Sequence, residues 1–212
     1  MKKPRAALIV LGSFIFCGSA SAQFSIVSLG VKGGVALNDA NSRNDEGKRY
    51  VVGPSVEFRL PFHFAAEVDA LYMRTGSSFS YIFNNPIDGS VSYTWGRTRG
   101  NQWDFPVLGK YYFGERQKKV QPFLGTGYAF RKNWQHNDTN ASIVSGTPLT
   151  LQNYSASIDS STRLQIGATF AAGVRVRVGR IAILPELRYT RWGSDDFATR
   201  RNEGRFLLGI SF

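Results

Sequence analysis

Two histidines, fifteen carboxylates and a single cysteine at position 17 set the chemistry open to this chain. His136 stands beside Asp138 in a stretch rich in serine, so a Ser-His-Asp grouping can be drawn on paper. Such a grouping acts only if nucleophile, base and orienting carboxylate converge, and a Ser- and Asp-rich stretch offers one by composition alone. His63 lies between Phe62 and Phe64 in a short turn, and Asp195-Asp196 sit side by side in an irregular stretch. No histidine pair has metal-ligand spacing, and no glycine-rich phosphate loop occurs. The chain is expected to be no enzyme and to carry no metal and no cofactor.

The charges that do follow a pattern recur at alternate positions. Lys32, Glu57, Arg59, Glu67, Asp69, Asp104, Lys110, Arg131, Arg175, Arg177, Glu186, Arg188 and Arg205 each fall opposite an apolar face in a segment of period two. Period two belongs to a β-strand, whose successive side chains point to opposite sides. Eight such runs are legible, at 28–38, 50–60, 64–73, 101–113, 120–131, 163–178, 181–192 and 204–212. In the second, Tyr50, Val52, Pro54, Val56, Phe58 and Leu60 alternate with Val51, Gly53, Ser55, Glu57 and Arg59. In the last, Phe206, Leu208, Ile210 and Phe212 form one face and the chain stops on the aromatic.

An apolar strand face running to a chain end suits hydrocarbon better than water. The connections alternate as well. Those at 61–63, 114–119 and 179–180 are short, and those at 39–49, 74–100, 132–162 and 193–203 are long, as in an even-stranded membrane barrel. Aromatics sort to the strand ends: Tyr50, Tyr72, Trp103, Phe130, Tyr189 and Phe206 toward the long connections, Phe58, Phe64, Phe113 and Phe212 toward the short ones. That is the placement of two headgroup belts. The predicted fold is all-β, an eight-stranded antiparallel transmembrane barrel with up-and-down order. Pro54, Pro106, Pro122 and Pro185 fall inside strands, and local breaks or bulges are expected there.

The first 22 residues read as a signal peptide: Lys2, Lys3 and Arg5, an apolar run from Ala6 to Phe16, and Ala20-Ser21-Ala22 as cleavage site. Phe16 is too large for lipoprotein processing at Cys17. Residues 23–212 then form one domain without cysteine, and loss of three bases takes the net charge from +11 to +8. The bases are scattered, so nucleic acid is not a partner. After residue 22 no stretch is long and apolar enough for a spanning helix.

Four stretches resemble the outer-membrane β-barrel domain family, the PorT-like group of small eight-stranded barrels related in shape to OmpA and OmpX. They are Ala65 to Gly76, Trp103 to Phe113, Gln121 to Gly127 and Leu184-Pro185-Glu186-Leu187-Arg188-Tyr189. The resemblance implies the barrel fold, a bacterial outer-membrane location with both termini in the periplasm, and tolerance of strand prolines. It also implies that Phe206, Leu208, Ile210 and Phe212 serve as the signal met by the outer-membrane assembly machinery. Lipid, that machinery and an external ligand or surface are the expected partners.

On this assignment eight bases face five acids inside a barrel barely wide enough to be filled by side chains. Two readings stand: a plugged lumen of paired charges, or a narrow, weakly anion-favouring pore. The long connections hold Phe79, Tyr81, Phe83, Tyr93, Trp95, Trp134 and Tyr154 among Ser, Gly and Asn, a composition suited to surface contact. The second also alternates around Asn84 to Gly89 and reads equally as a hairpin continuing two strands. A lipid-directed enzyme using His136 and a soluble lipocalin-like barrel are the remaining alternatives. The latter requires an apolar interior, opposite to the pattern seen.

Overall fold

The computed structural model describes residues 26–37, 48–87, 89–115, 118–145, 150–161, 163–193 and 201–212. The signal-peptide reading, with Ala20, Ala22 and Cys17, and the Asp195-Asp196 pair lie outside them. Ten strands appear: β1 Val27–Ala36, β2 Lys48–Arg59, β3 Phe64–Asp69, β4 Leu71–Asn84, β5 Val91–Tyr112, β6 Val120–Ser145, β7 Thr150–Ser161, β8 Gln165–Val178, β9 Ile181–Trp192 and β10 Asn202–Ser211. All pairings are antiparallel. The first and last strands pair, Val31 opposite Ile210 and Val35 opposite Phe206, and this closes the barrel.

Ten strands make eight staves because two staves are each written as two segments. β3 and β4 are one stave, interrupted at Ala70. Ala70 donates its N–H to the Pro54 carbonyl at 3.0 Å, but Pro54 has no N–H to return. On the other side the register passes from Val68↔Val107 to Leu71↔Asp104 without a shift, which sets Pro106 opposite Asp69. Two prolines therefore bracket the break. Pro185 likewise interrupts the β8–β9 ladder, which runs from Gly167↔Trp192 to Gly173↔Glu186 and resumes at Val176↔Ile183 in the same register. Pro122 is carried opposite Val174 without a shift.

The alternation holds throughout. Leu29, Val31, Val52, Phe58, Phe105, Val107, Leu124, Phe170, Leu187, Leu208 and Ile210 are exposed on the outer face, while their strand neighbours are buried or half-buried. All ten predicted belt aromatics lie on that face. Tyr72 packs on Trp103 at 5.3 Å between ring centroids, and Phe64 and Phe113 flank Tyr111 at 5.2 and 5.1 Å. The belt hydroxyls find polar partners one step outward: Tyr72 donates to Asn101 and Tyr189 to Asn202, at 2.7 and 2.8 Å. An apolar band edged by amphipathic rings is what lipid solvates.

The third long connection departs from expectation. Residues 132–162 do not form an irregular loop: β6 runs unbroken to Ser145 and β7 returns along it from Thr150. The second connection is the predicted hairpin, β4 to Asn84 and β5 from Val91. The distal parts of β4, β5, β6 and β7 thus form one four-stranded sheet standing beyond the barrel rim, at the end opposite Phe212. From Trp134 to Ser145 it extends about 36 Å along the strand.

Candidate functional site

Inside the barrel the alternation delivers charged side chains to an interior buried from solvent, where pairing offsets their burial. In the middle tier, three bases meet three acids. Lys32 Nζ contacts Glu67 and lies 3.3 Å from Asp69 and 3.1 Å from Glu186. Lys110 Nζ lies 2.6 Å from Glu67 and 3.2 Å from Glu186, and sits over the Phe123 ring. Arg188 reaches Asp69 at 2.8 Å, Glu67 at 3.3 Å and Glu186 at 2.5 Å. All six are at most 3% exposed.

Toward the projecting sheet a second neutral tier forms. Arg131 makes a fork to Asp104 at 2.8 and 2.9 Å and stacks on the Trp192 ring at 3.9 Å. Arg131 also contacts Glu203, Arg205 contacts Asp104, and Arg205 Nε donates to Glu203 at 2.7 Å. Trp192 Nε1 completes the tier by donating to Glu203 at 3.0 Å. Toward the chain termini, Glu57 accepts from Arg175 at 3.0 Å and from the Tyr112 hydroxyl at 2.5 Å, with Arg59 at 3.6 Å. Arg59 and Arg177 are half-buried there.

The excess of base over acid is unevenly placed. It gathers at one mouth, while the two inner tiers are each balanced, three against three and two against two. Apolar clusters lie beside them: Ala36, Val51, Leu71, Met73 and Leu207, with Leu71 opposite Asp104, Ala36 opposite Arg205 and Leu207 opposite Glu186, and Ala65, Tyr112, Phe123, Ala182 and Leu184 toward the termini. Gly125 faces the Lys110 stem, where a Cβ would stand 3.1 Å from Cγ and press on it. Gly127 serves another purpose, since a Cβ there would overlap the Val107 carbonyl rather than a lysine or arginine.

Of the thirteen predicted lumen residues, eleven are buried and Arg59 and Arg177 are half-buried. Glu203, Trp192 and Tyr112 belong to the network and were not predicted. Continuing the period of the last strand by one residue, and the even positions of 101–113, points to Glu203 and Tyr112.

The projecting sheet brings together the second group. His136 Nδ1 lies 2.5 Å from Asp159, and its Nε2 lies 3.1 Å from both Asp138 and the Ser157 hydroxyl. Ser157 in turn donates to Asp138 at 3.1 Å. The order of atoms imitates a catalytic triad, but Nε2 lies as near the Asp138 carboxylate as the Ser157 hydroxyl. The hydrogen bond to Asp159, then the charge of Asp138, raise the His136 pKa above its ordinary 6.5. With the Ser157 hydroxyl donating to Asp138, its proton points at a carboxylate rather than at the ring. The group is a cross-strand clasp between β6 and β7, half-exposed to solvent. Its contribution is complete below the ordinary histidine pKa and fades as pH rises through the raised one. His63 is remote, in the turn at the other end.

Beside the clasp lies a groove of about 850 Å³ on the outward side of the sheet, lined by Ser78, Trp95, Arg97, Asp138, Asn140 and Ser157 among others. Tyr93 stacks on Trp95 with centroids 5.2 Å apart. Among the described residues no cluster of three potential metal ligands forms.

Comparison with known proteins bears on the barrel. A family profile described as outer membrane protein beta-barrel domain matches residues 21–193. No curated protein sequence matches. Solved structures similar to this chain include the Neisserial surface protein A, at 17% identity over 88% of this chain and 96% of that one, TM-score 0.47. The N-terminal β-barrel domain of Pseudomonas aeruginosa OprF matches at 12% identity over 89% and 97%, TM-score 0.45. Ail of Yersinia pestis matches at 12% identity over 87% and 94%, TM-score 0.39.

Proposed function

The chain belongs to the outer membrane protein beta-barrel domain family and resides in the bacterial outer membrane, and from that premise we propose that it is a closed envelope barrel acting through its projecting sheet. One observation carries the reading: the order is spent outside the membrane, not along the axis. Inside, two neutral ion-paired tiers with apolar clusters beside them fill the interior, an arrangement that supports a closed lumen. Outside, four strands present both faces to solvent, with Tyr81, Ile82, Phe83, Tyr154 and Ile158 all more than half exposed. Rigid aromatic anchors among hydroxyl and amide side chains suit contact with a surface or ligand. Catalysis has no part in this reading, because the one histidine near a serine is committed to two carboxylates. Phe206, Leu208, Ile210 and Phe212 present the outward apolar face that the assembly machinery reads before the barrel closes.

The orientation this requires is directly testable, since the chain after position 17 holds no cysteine. Ile87→Cys, at the tip of the sheet, is expected to react in intact cells with a large polyethylene-glycol maleimide. Arg180→Cys, in a short turn at the opposite end, reacts only after the outer membrane is permeabilised. The reverse pattern would place the sheet in the periplasm and end the proposal.

A further inference from the structure

We infer that the lumen mouth beside the chain termini is a binding site for one small soluble oxyanion of the phosphate or sulfate class, held by Arg175 and Arg59. This mouth lies at the end of the barrel opposite the projecting sheet, and in the orientation proposed above it opens to the periplasm. Three arginines of the inner tiers hold a carboxylate in one way, along the edge formed by Nε and Nη2. Arg131 lays that edge on Asp104 at 2.8 and 2.9 Å, Arg188 on Glu186 at 2.7 and 2.5 Å, and Arg205 on Glu203 at 2.7 and 2.6 Å. Arg175 is comparably buried, at 6% exposure, yet it meets Glu57 through Nη1 alone. Its Nε is a buried donor without a protein partner.

Arg59 shares the feature. Its Nε is buried and unpartnered, 3.6 Å from the same Glu57 oxygen and beyond hydrogen-bond length. Two guanidinium edges of the kind that holds carboxylates deeper in the lumen thus meet around a single Glu57 oxygen. Glu57 is fixed in place, because its other oxygen accepts from the Tyr112 hydroxyl at 2.5 Å. The Ser211 hydroxyl is a third buried donor without a protein partner. Strand pairing sets Ser211 opposite Ala182 and Ala182 opposite Arg177, so one small side chain separates Ser211 from a third arginine along the row.

The local charge decides what these donors serve. On the inner face at this level Arg59, Arg175 and Arg177 stand against Glu57, whereas both inner tiers are balanced. Among the described residues, Glu115 in the adjoining turn and the Phe212 carboxylate are the other acids at this end, and neither pairs with Arg59 or Arg175. Water can accept from the three donors but leaves the positive surplus unanswered. An oxyanion meets both needs: its oxygens accept along the two guanidinium edges, as the inner carboxylates do, and its charge offsets the surplus. A dianion cancels that surplus in full, and a tetrahedral one keeps an oxygen for Ser211. Arg59, half-buried at the rim, gives it a way in. Phospholipid phosphates lie on the far side of the wall, outside the belt of Phe58, Phe64 and Phe113, which makes the ligand a soluble one.

The test follows the arginine Nε–H resonances of the folded protein, isotopically labelled at arginine, in neutral detergent micelles. Sodium phosphate or sulfate is titrated in, with sodium chloride keeping the ionic strength constant. R59Q and R175K assign the two resonances by their loss, and a boiling-dependent gel shift confirms that each variant is folded. Phosphate and sulfate are expected to shift both resonances saturably, with one anion bound per barrel. R59Q leaves the Arg175–Glu57 pair intact and weakens phosphate roughly ten- to a hundredfold. R59K keeps the charge without the fork and weakens it less. Shifts that follow ionic strength alone overturn the inference, and so does an unchanged phosphate affinity in R59Q. Phosphatidylglycerol in the micelle producing the same shifts without phosphate also overturns it, since the donors would then serve a lipid headgroup.

Discussion

Glu186→Leu is expected to destabilise the folded barrel by about 3–5 kcal/mol. Glu186 touches Lys32, Lys110 and Arg188 at once, and its side chain is fully buried. Without it, three cations face only Glu67 and Asp69 in an interior buried from solvent. The loss reflects an uncompensated buried charge more than the worth of a single ion pair. Adding Lys32→Met restores neutrality, two bases against two acids, so the double variant recovers part of the loss. The measurement is the urea midpoint of the compact, unboiled gel band in lipid vesicles. A midpoint for Glu186→Leu within about 1 kcal/mol of the parent means that water reaches the middle tier, and the closed lumen fails with it.

Val107→Arg is expected to cost about 2–4 kcal/mol by the same measurement, through a different cause. Val107 lies on the outward face midway between Trp103 and Tyr111 and is 44% exposed, opposite Val68 and Tyr128. Exposure there means exposure to hydrocarbon, and an arginine at the midplane must thin the bilayer or drag water toward itself. The same substitution at Ile87, on the tip of the sheet, changes stability by no more than about 0.5 kcal/mol. Equal and negligible effects at both positions are the signature of a barrel with water outside.

The barrel was legible in the sequence because each stave has one face in lipid and one in the lumen, and that contrast imprints period two. The thirteen charged positions followed from the same parity. Their pairing did not follow: which acid meets which base depends on the stagger between staves, and Lys32 meets Glu186 across 154 positions of chain. Glu203 escapes because the alternation read from Gly204 starts two residues inside β10, which begins at Asn202.

The projecting sheet was half legible. Residues 78–83 and 90–95 alternate visibly, but 132–162 reads as loop because Ser, Asn and Thr dilute the period. Both faces of β7 meet water, so nothing forces a contrast between them; still, Tyr154, Ala156 and Ile158 alternate with Ser155, Ser157 and Asp159, a faint trace of the strand. The His136 clasp is a product of register alone. Asp159 was not among its expected partners, because only the β6–β7 pairing sets it opposite His136.

A closed lumen with outward-directed function is tested most directly by single-channel recording of purified, gel-shift-verified protein in planar bilayers. The expected result is a silent bilayer at either polarity and across the salt range. Reproducible conductance steps that scale with the amount of folded protein would contradict the account and make the barrel a pore.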